Sequence, residues 1–395
     1  AEDRHETIAM MEPLLIPGSH KHWEALADLA VELTERSTAL RKTLPDGVVI
    51  ALSDLVRAMN CYYSNLIEGH DTHPVDIERA MNEDFSEDPA QRDLQLEAKA
   101  HISVQKWIDD GGLAERSTGA NGIMEIHKRF CEDLPDDLLW VENKTTGERL
   151  RVEPGKLRRY DVEVGRHVAI SPGAIPRFLE RFEAVYSGLG RVNSIIAAAT
   201  AHHRLLWIHP FLDGNGRVAR LMSYAMLNET LDTGGIWSIA RGLARNVESY
   251  KSHLAACDLP RRNDLDGRGN LSEEELAKFT GFFLQTCIDQ VTFMESLIRP
   301  DNLKDRIDLW VKEEMMADRL PQKSDIVLTA ILYRGELPRG DVAPLLGRTE
   351  RTARRVTSEL LKQGVITSEG ARAAFKLAFP AKLASRWMPG LFPEK

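Results

Sequence analysis

His209-Pro-Phe-Leu-Asp213-Gly-Asn-Gly-Arg217-Val-Ala-Arg220 compresses an imidazole, a carboxylate, a Gly-Asn-Gly turn and two guanidinium groups into twelve residues. Residues 221–227 (LMSYAML) continue as a good helix former, so Gly214, Asn215 and Gly216 fall where a loop turns into a helix. A helix start leaves N–H groups free and carries partial positive charge, which suits phosphate. Arg217 and Arg220, three residues apart, share one face of the first turn and add charge there. As chemistry alone, His209 is a candidate general base, Asp213 a candidate magnesium ligand, the Gly-Asn-Gly turn an anion cradle and the two arginines phosphate clamps. Those parts suit phosphoryl or nucleotidyl transfer. No Walker loop and no G-x-G-x-x-G after a strand is present, so neither a P-loop nor a dinucleotide fold is expected.

Upstream, residues 190–208 are alanine-rich and apolar on most faces, as expected of a central buried helix that delivers the chain to His209. His202 and His203 lack a carboxylate or cysteine at helical spacing to complete a metal set, so they read as core or supporting histidines. Residues 143–170 are rich in Gly, Thr, Arg and Val; Tyr160, Val162 and Val164 alternate, Gly165-Arg166 turns, and Val168 and Ile170 alternate again. This predicts a lone β-hairpin flap. Earlier still, apolar spacing predicts helices over 19–44 (capped by Ser19), 48–67, 74–82, from Asp88-Pro89 to Gly111, and 123–132. The second ends in Glu68-Gly69, which places a carboxylate against a helix C-terminus, an unfavourable position that an arginine partner would offset.

The composition is that of an ordinary globular chain: 395 residues, 43% apolar, 28% charged, net charge −9. Two or three domains are expected. Cys61, Cys131, Cys257 and Cys287 show no metal spacing and read as small core residues in a reducing, cytoplasmic setting. No signal peptide or long apolar run is present, so neither secretion nor a membrane partner is expected. Asp264-Leu-Asp266-Gly-Arg268 imitates the start of a calcium loop, but Arg268 brings positive charge to the ion's place; a polar loop capped by Ser272 is the better reading.

Residues 321–395 carry 13 Lys/Arg against 7 Asp/Glu, so this tail is +6 while the remainder is −15. Helical patterns at 326–333, 339–346 and 348–362, then a Gly364 turn and two strands, predict a winged helix-turn-helix. Arg351, Arg354 and Arg355 on its third helix make residues 339–376 a candidate DNA surface.

The twelve residues from His209 match the Fic motif H-x-F-x-[DE]-G-N-G-R-x-x-R at every fixed position, and Ser64-Asn-Leu-Ile-Glu68-Gly69 is similar to the inhibitory motif [ST]-x-x-x-E-[GN] of that family. The resemblance implies a mainly α fold: a Fic-type helical core with a β-hairpin flap, plus the C-terminal winged helix. It implies a protein adenylyltransferase that moves AMP from ATP to a Ser, Thr or Tyr hydroxyl of a target protein, with auto-AMPylation or reversal also open.

By position, His209 takes the hydroxyl proton and Asp213 holds Mg²⁺. Gly214, Asn215 and Gly216 stabilise charge at the α-phosphate, Arg220 holds the γ-phosphate, and Arg217 makes a phosphate or structural contact. Tyr250 falls where the family forms its adenine pocket, and Phe211 is a core anchor. Glu68, with Ser64 before it, is expected to pair with Arg220 and inhibit. The implied layout is a helical region over 1–112 with the inhibitory helix, a catalytic core over 113–300, a helical linker over 301–320 and the winged helix over 321–395. A homodimer is compatible with it. The rival reading is a DNA-binding regulator whose Fic core senses nucleotide.

Overall fold

The computed structural model describes residues 1–143 and 146–393. The chain is mainly helical and forms two compact units: residues 1–35, 60–232 and 238–289 in the first, and residues 36–59, 233–237 and 290–395 in the second. Helices α1 (Trp23–Arg41) and α2 (Asp46–Ile67) open it. The first starts later than Ser19. His20 N–H bonds to Pro17 O and Trp23 N–H to His20 O, both at 2.9 Å, so the segment after Pro17-Gly18 turns before it can wind. Helices α3 (Pro74–Met81) and α4 (Pro89–Asp109) each begin on a proline, and the Asp88 carboxylate caps α4 by accepting the Ala90 N–H (3.3 Å).

After α5 (Ala120–Cys131) come two hairpins instead of the lone one expected. Strands β1 (Trp140–Glu142) and β2 (Arg149–Arg151) pair Val141 with Leu150, while the expected segment's Lys144 and Thr145 lie outside the described residues. Each strand offers one inward apolar residue, too little alternation to be read from sequence. The predicted flap is β3 (Glu163–Val164) paired with β4 (His167–Val168), turning at Gly165 with φ +63°.

Helices α6 (Ile175–Tyr186), α7 (Arg191–Ile208) and α8 (Asn215–Thr230) follow, and α7 packs extensively on α8. Ala197, Ala198, Ala199 and Ala201 are fully buried, and such small side chains let helices approach closely. Leu205, Ile208, Val218, Leu221 and Met222 fill the surrounding core, each contributing about 1.5–3 kcal/mol on burial.

The first unit continues through α9 (Ile239–Arg245), α10 (Val247–Cys257) and the first half of α11 (Glu273–Ile298). Asp266, in the calcium-like loop, accepts from Ser272 Oγ (3.0 Å) and from the N–H groups of Glu274 (2.8 Å) and Arg262 (3.0 Å), while Ser272 Oγ accepts the Glu275 N–H (3.2 Å). The carboxylate is committed to starting α11. All four cysteines are buried thiols.

In the second unit α12 (Pro300–Met316) packs on α13 (Ser324–Arg334), with α14 (Arg339–Leu346), α15 (Glu350–Gln363), strands β5 (Ile366–Thr367) and β6 (Lys376–Leu377), and the short α16 (Ala384–Trp387) beyond. Trp387 meets Trp310 edge-on at 5.5 Å and closes this core. Among the described residues no helix is long and apolar enough to cross a membrane.

Enlarging a fully buried alanine of α7 tests this close packing: Ala198→Leu should cost about 1–3 kcal/mol, read as a lower urea midpoint at unchanged m-value.

Candidate active site

Helix α7 ends on His209, whose φ of 51° and ψ of 63° are left-handed, an uncommon conformation for a residue with a side chain. Such strain persists only where neighbours over-determine it. Here the buried Arg158 does so: its Nε donates to His209 O (2.7 Å), one terminal nitrogen to Ile170 O (2.6 Å) and the other to Tyr160 O (3.0 Å). Arg158 therefore ties the turn at His209 to both feet of the β3–β4 hairpin. From the hairpin itself, His167 donates Nε2–H to Trp207 O at 2.7 Å, a tautomer fixed because a carbonyl can only accept.

The loop onward is braced from below by His127 of α5. Its ring stacks on Phe211 with centroids 3.9 Å apart, its Nε2–H donates to Asp213 O (3.1 Å), and its Nδ1 accepts the Gly155 N–H (2.9 Å). Burial pushes His127 down to about 4, consistent with a neutral ring that donates at one nitrogen and accepts at the other. Gly214 adopts φ +83° just before α8, a conformation that favours glycine. The free N–H groups of the first turn of α8 follow it.

His209 and the N-terminus of α8 line one cavity of about 450 Å³, together with Glu68, Trp207, Arg220 and Tyr250. That is the size range of small-molecule sites. Burial, reinforced by the Arg158 guanidinium, pushes the His209 imidazole down to about 4, so it is neutral at physiological pH.

Glu68 reaches the same place from α2. Gly69 (φ +85°) donates its N–H to Leu66 O (3.0 Å) and His70 donates to Asn65 O (2.9 Å), a glycine-terminated helix end that fixes the direction of Glu68. The Glu68 carboxylate forms an ion pair with Arg220. It also covers the helix start: a Cβ at Gly216 would lie 2.5 Å from Glu68 Oε1. Burial pushes the Glu68 carboxyl up, but the cations around it, Arg220 foremost with Arg217 and His70 behind, together hold the group below its ordinary value.

Arg220 is further held by Ser64, whose Oγ accepts from Nε (2.9 Å) and whose carbonyl accepts from a terminal nitrogen (3.2 Å). Tyr250 stands beside it on the cavity wall. The Tyr250 hydroxyl lies 2.6 Å from His202 Nε2, and His202 Nδ1 lies 3.1 Å from Ser223 Oγ. Since Ser223 gives its proton to the carbonyls of Ala219 or Arg220, the polarity is settled. Tyr250 donates to His202, and His202 donates to Ser223.

Residues 118–227 match the Fic/DOC family. Over 225 residues the chain is 38% identical to the protein named Protein adenylyltransferase Fic of Drosophila willistoni, covering 52% of this chain and 42% of that one. Over 202 residues it is 37% identical to the protein of the same name from Drosophila persimilis, covering 51% and 35%. The chain thus spans less than half the length of these curated relatives. A Fic family protein from Desulfovibrio desulfuricans G20 shares the fold, with a TM-score of 0.53 at 17% identity over 90% of this chain and 96% of that one.

Several expected residues take more specific places than their spacing could assign. Asn215 is directed at the Phe211 backbone, accepting its N–H (3.0 Å) and donating to its carbonyl (2.8 Å). The amide thereby clamps the loop ahead of α8. Arg217 does not line the cavity; it is buried, pairs with Glu97 at 3.1 Å and stacks over Phe130 at 5.1 Å. Tyr250 lines the cavity, and its hydroxyl donates to His202.

Among the described residues no group of three or more His, Cys, Asp or Glu could cage a metal, and His202 and His203 are spent on Tyr250 and Asp258. Asp213 is exposed, with no partner for its carboxylate among the described residues. His127, Arg158 and Glu97 were not singled out by the motifs.

Because the folded-state pKa of Glu68 is depressed, its ion pair stabilises the protein fully above the unfolded carboxyl value, and that stability is lost as pH falls through the folded value. Glu68→Gln should therefore lower Tm most at neutral pH, with the gap to wild type closing toward acid. A gap independent of pH would mean that the pair adds nothing.

Proposed function

We propose that this chain is a protein adenylyltransferase that Glu68 holds in check. The reading rests above all on one juxtaposition: a carboxylate from a separate helix pairs with Arg220 over the phosphate-binding start of α8, in the same cavity as a neutral His209. The names of the Drosophila relatives and the Fic match over residues 118–227 support it.

With ATP bound, the free N–H groups after Gly214 receive phosphate oxygens and Arg220 exchanges Glu68 for the terminal phosphate. His209 takes the proton from a Ser, Thr or Tyr hydroxyl as that oxygen bonds to the α-phosphorus. The bond from that phosphorus to the bridging oxygen breaks, and pyrophosphate leaves with AMP on the target. Asp213 fits a magnesium ion, since Mg²⁺ is typically held by one or two carboxylates plus substrate phosphates and needs no protein cage. There the ion would neutralise phosphate charge. Val164 and Val168 of the flap are 46% and 64% exposed, an apolar edge that suits an extended target segment added as a strand. The Arg158 and His167 contacts then set that segment's height over His209.

With labelled ATP, Glu68→Gly should raise incorporation into target or self at least about tenfold, consistent with loss of one buried charge partner. Adding His209→Ala should remove about 10²–10⁴-fold, the usual contribution of a general base. Equal labelling by wild type and Glu68→Gly would refute the inhibitory role.

The pH profile supplies a separate check. The base is the neutral imidazole, present above about 4, so kcat/KM of Glu68→Gly should stay flat from pH 8 to about 5. A midpoint near the ordinary histidine value would contradict the buried, Arg158-backed setting.

A further inference from the structure

Helix α15 carries a surface for which nucleotide transfer has no use. Its inner face buries Ala353, Val356, Thr357 and Leu360, while Arg351, Arg354 and Arg355 stand exposed on the other, with Arg348 exposed just before the helix. None of these four arginines has a carboxylate within ion-pair distance among the described residues. Arginines elsewhere, such as Arg177, Arg181, Arg217 and Arg319, are paired. Four unpaired like charges within eight residues repel one another, and a polyanion would relieve that repulsion.

The surroundings of α15 hold this face in a defined pose. Gly347, with φ +59°, makes the tight turn from α14, and Thr349 caps α15 through the Thr352 N–H at 3.3 Å. On the other side, β5 and β6 with a Leu337–Phe375 bridge form a small wing whose connecting loop exposes Arg372. Arg339 of α14 locks that loop. Its Nε donates to Ala373 O (2.9 Å), a terminal nitrogen donates to Ser368 Oγ (3.0 Å) and Gly370 O (3.1 Å), and its guanidinium lies 4.3 Å from the Phe375 ring. An exposed loop tied down by four contacts from one arginine keeps Arg372 at a fixed offset from α15.

We propose that this face binds duplex DNA, with α15 in the major groove and the Arg372 loop on the adjoining backbone. A 14-residue helix is about 21 Å long and fits a B-form major groove about 12 Å wide. The deep, narrow major groove of A-form RNA excludes it. The charge of the segment fits too, at +6 for residues 321–395 against −15 for the rest.

The test uses the full chain and fluorescent duplexes about three helical turns long, of mixed sequence and from a random library, titrated by anisotropy across salt concentration. Binding should weaken steeply with salt. Arg351→Ala/Arg354→Ala/Arg355→Ala should reduce affinity at least about tenfold in low salt and flatten the salt slope by about 3, near 0.9 per lost phosphate contact. These residues lie outside the proposed transfer site, so labelling by Glu68→Gly should not change in the triple variant. Arg339→Ala, which frees the wing loop but leaves the face of α15 intact, should weaken binding with less change in slope. Absence of duplex binding in low salt, binding unaltered by the triple variant, or equal affinity for an RNA duplex would each overturn the proposal.

Discussion

A guanidinium buried in a protein interior must be hydrogen-bonded and is stabilised further by an anion beside it, and much of the candidate site follows from how Arg220 meets those demands. Its side chain is 5% exposed, and the neutral acceptors around it, the hydroxyl and carbonyl of Ser64, orient it without cancelling its charge. Glu68 supplies the missing charge. The site is therefore poised around an exchange of anions rather than around an empty space, and a ligand that displaces Glu68 must bring at least as much negative charge to the same point. A polyphosphate does so; a neutral ligand of equal size does not.

The second constraint is the left-handed turn at His209. A residue with a Cβ takes that conformation at a cost of order 1–3 kcal/mol, and here the cost is offset by Arg158 and by the His127–Phe211 stack. The result is a histidine whose backbone carbonyl is held by the flap's anchor and whose ring is dehydrated enough to remain neutral. Flap position and histidine position are thus coupled through one side chain. Displacing the flap would disturb the proposed base as well as the seat of the target segment.

These two constraints differ in how visible they are in sequence. The loop is legible because its residues are adjacent: glycine where φ is positive, a carboxylate, and arginines at helical spacing. The long helices are legible for the same reason, their periodicity repeating over many turns. Arg158 and His127 are not, because each acts from a distant segment through backbone carbonyls and N–H groups that leave no pattern. A hint existed for His127, which lies on the apolar face of α5 with Ile123, Ile126 and Phe130 and is buried with them. The β3–β4 flap is legible from the alternation on either side of Gly165, although only two residues of each arm pair as strand, and β1–β2 was missed because only Val141 and Leu150 mark its inner face.

Arg217 and Arg220 show what the fold adds to such a pattern. Both are buried on α8, three residues apart, and spacing alone makes them equivalent. The structure gives each its own acid. Glu97, on α4, has a side chain only 3% exposed, and His70 Nδ1 reaches it at 2.8 Å; that hydrogen bond raises the His70 pKa and so favours a second cation on the same carboxylate. Glu68, at a helix end on the cavity wall, has a side chain 34% exposed and pairs with Arg220. Removing Glu97 would strand Arg217 where no ligand can reach it, so that pair belongs to folding. Removing Glu68 strands Arg220 where a ligand can replace it, and the free energy lost from the resting state becomes available to binding. Regulation by a carboxylate is possible at Arg220 and not at Arg217 because only one of the two buried charges faces the cavity.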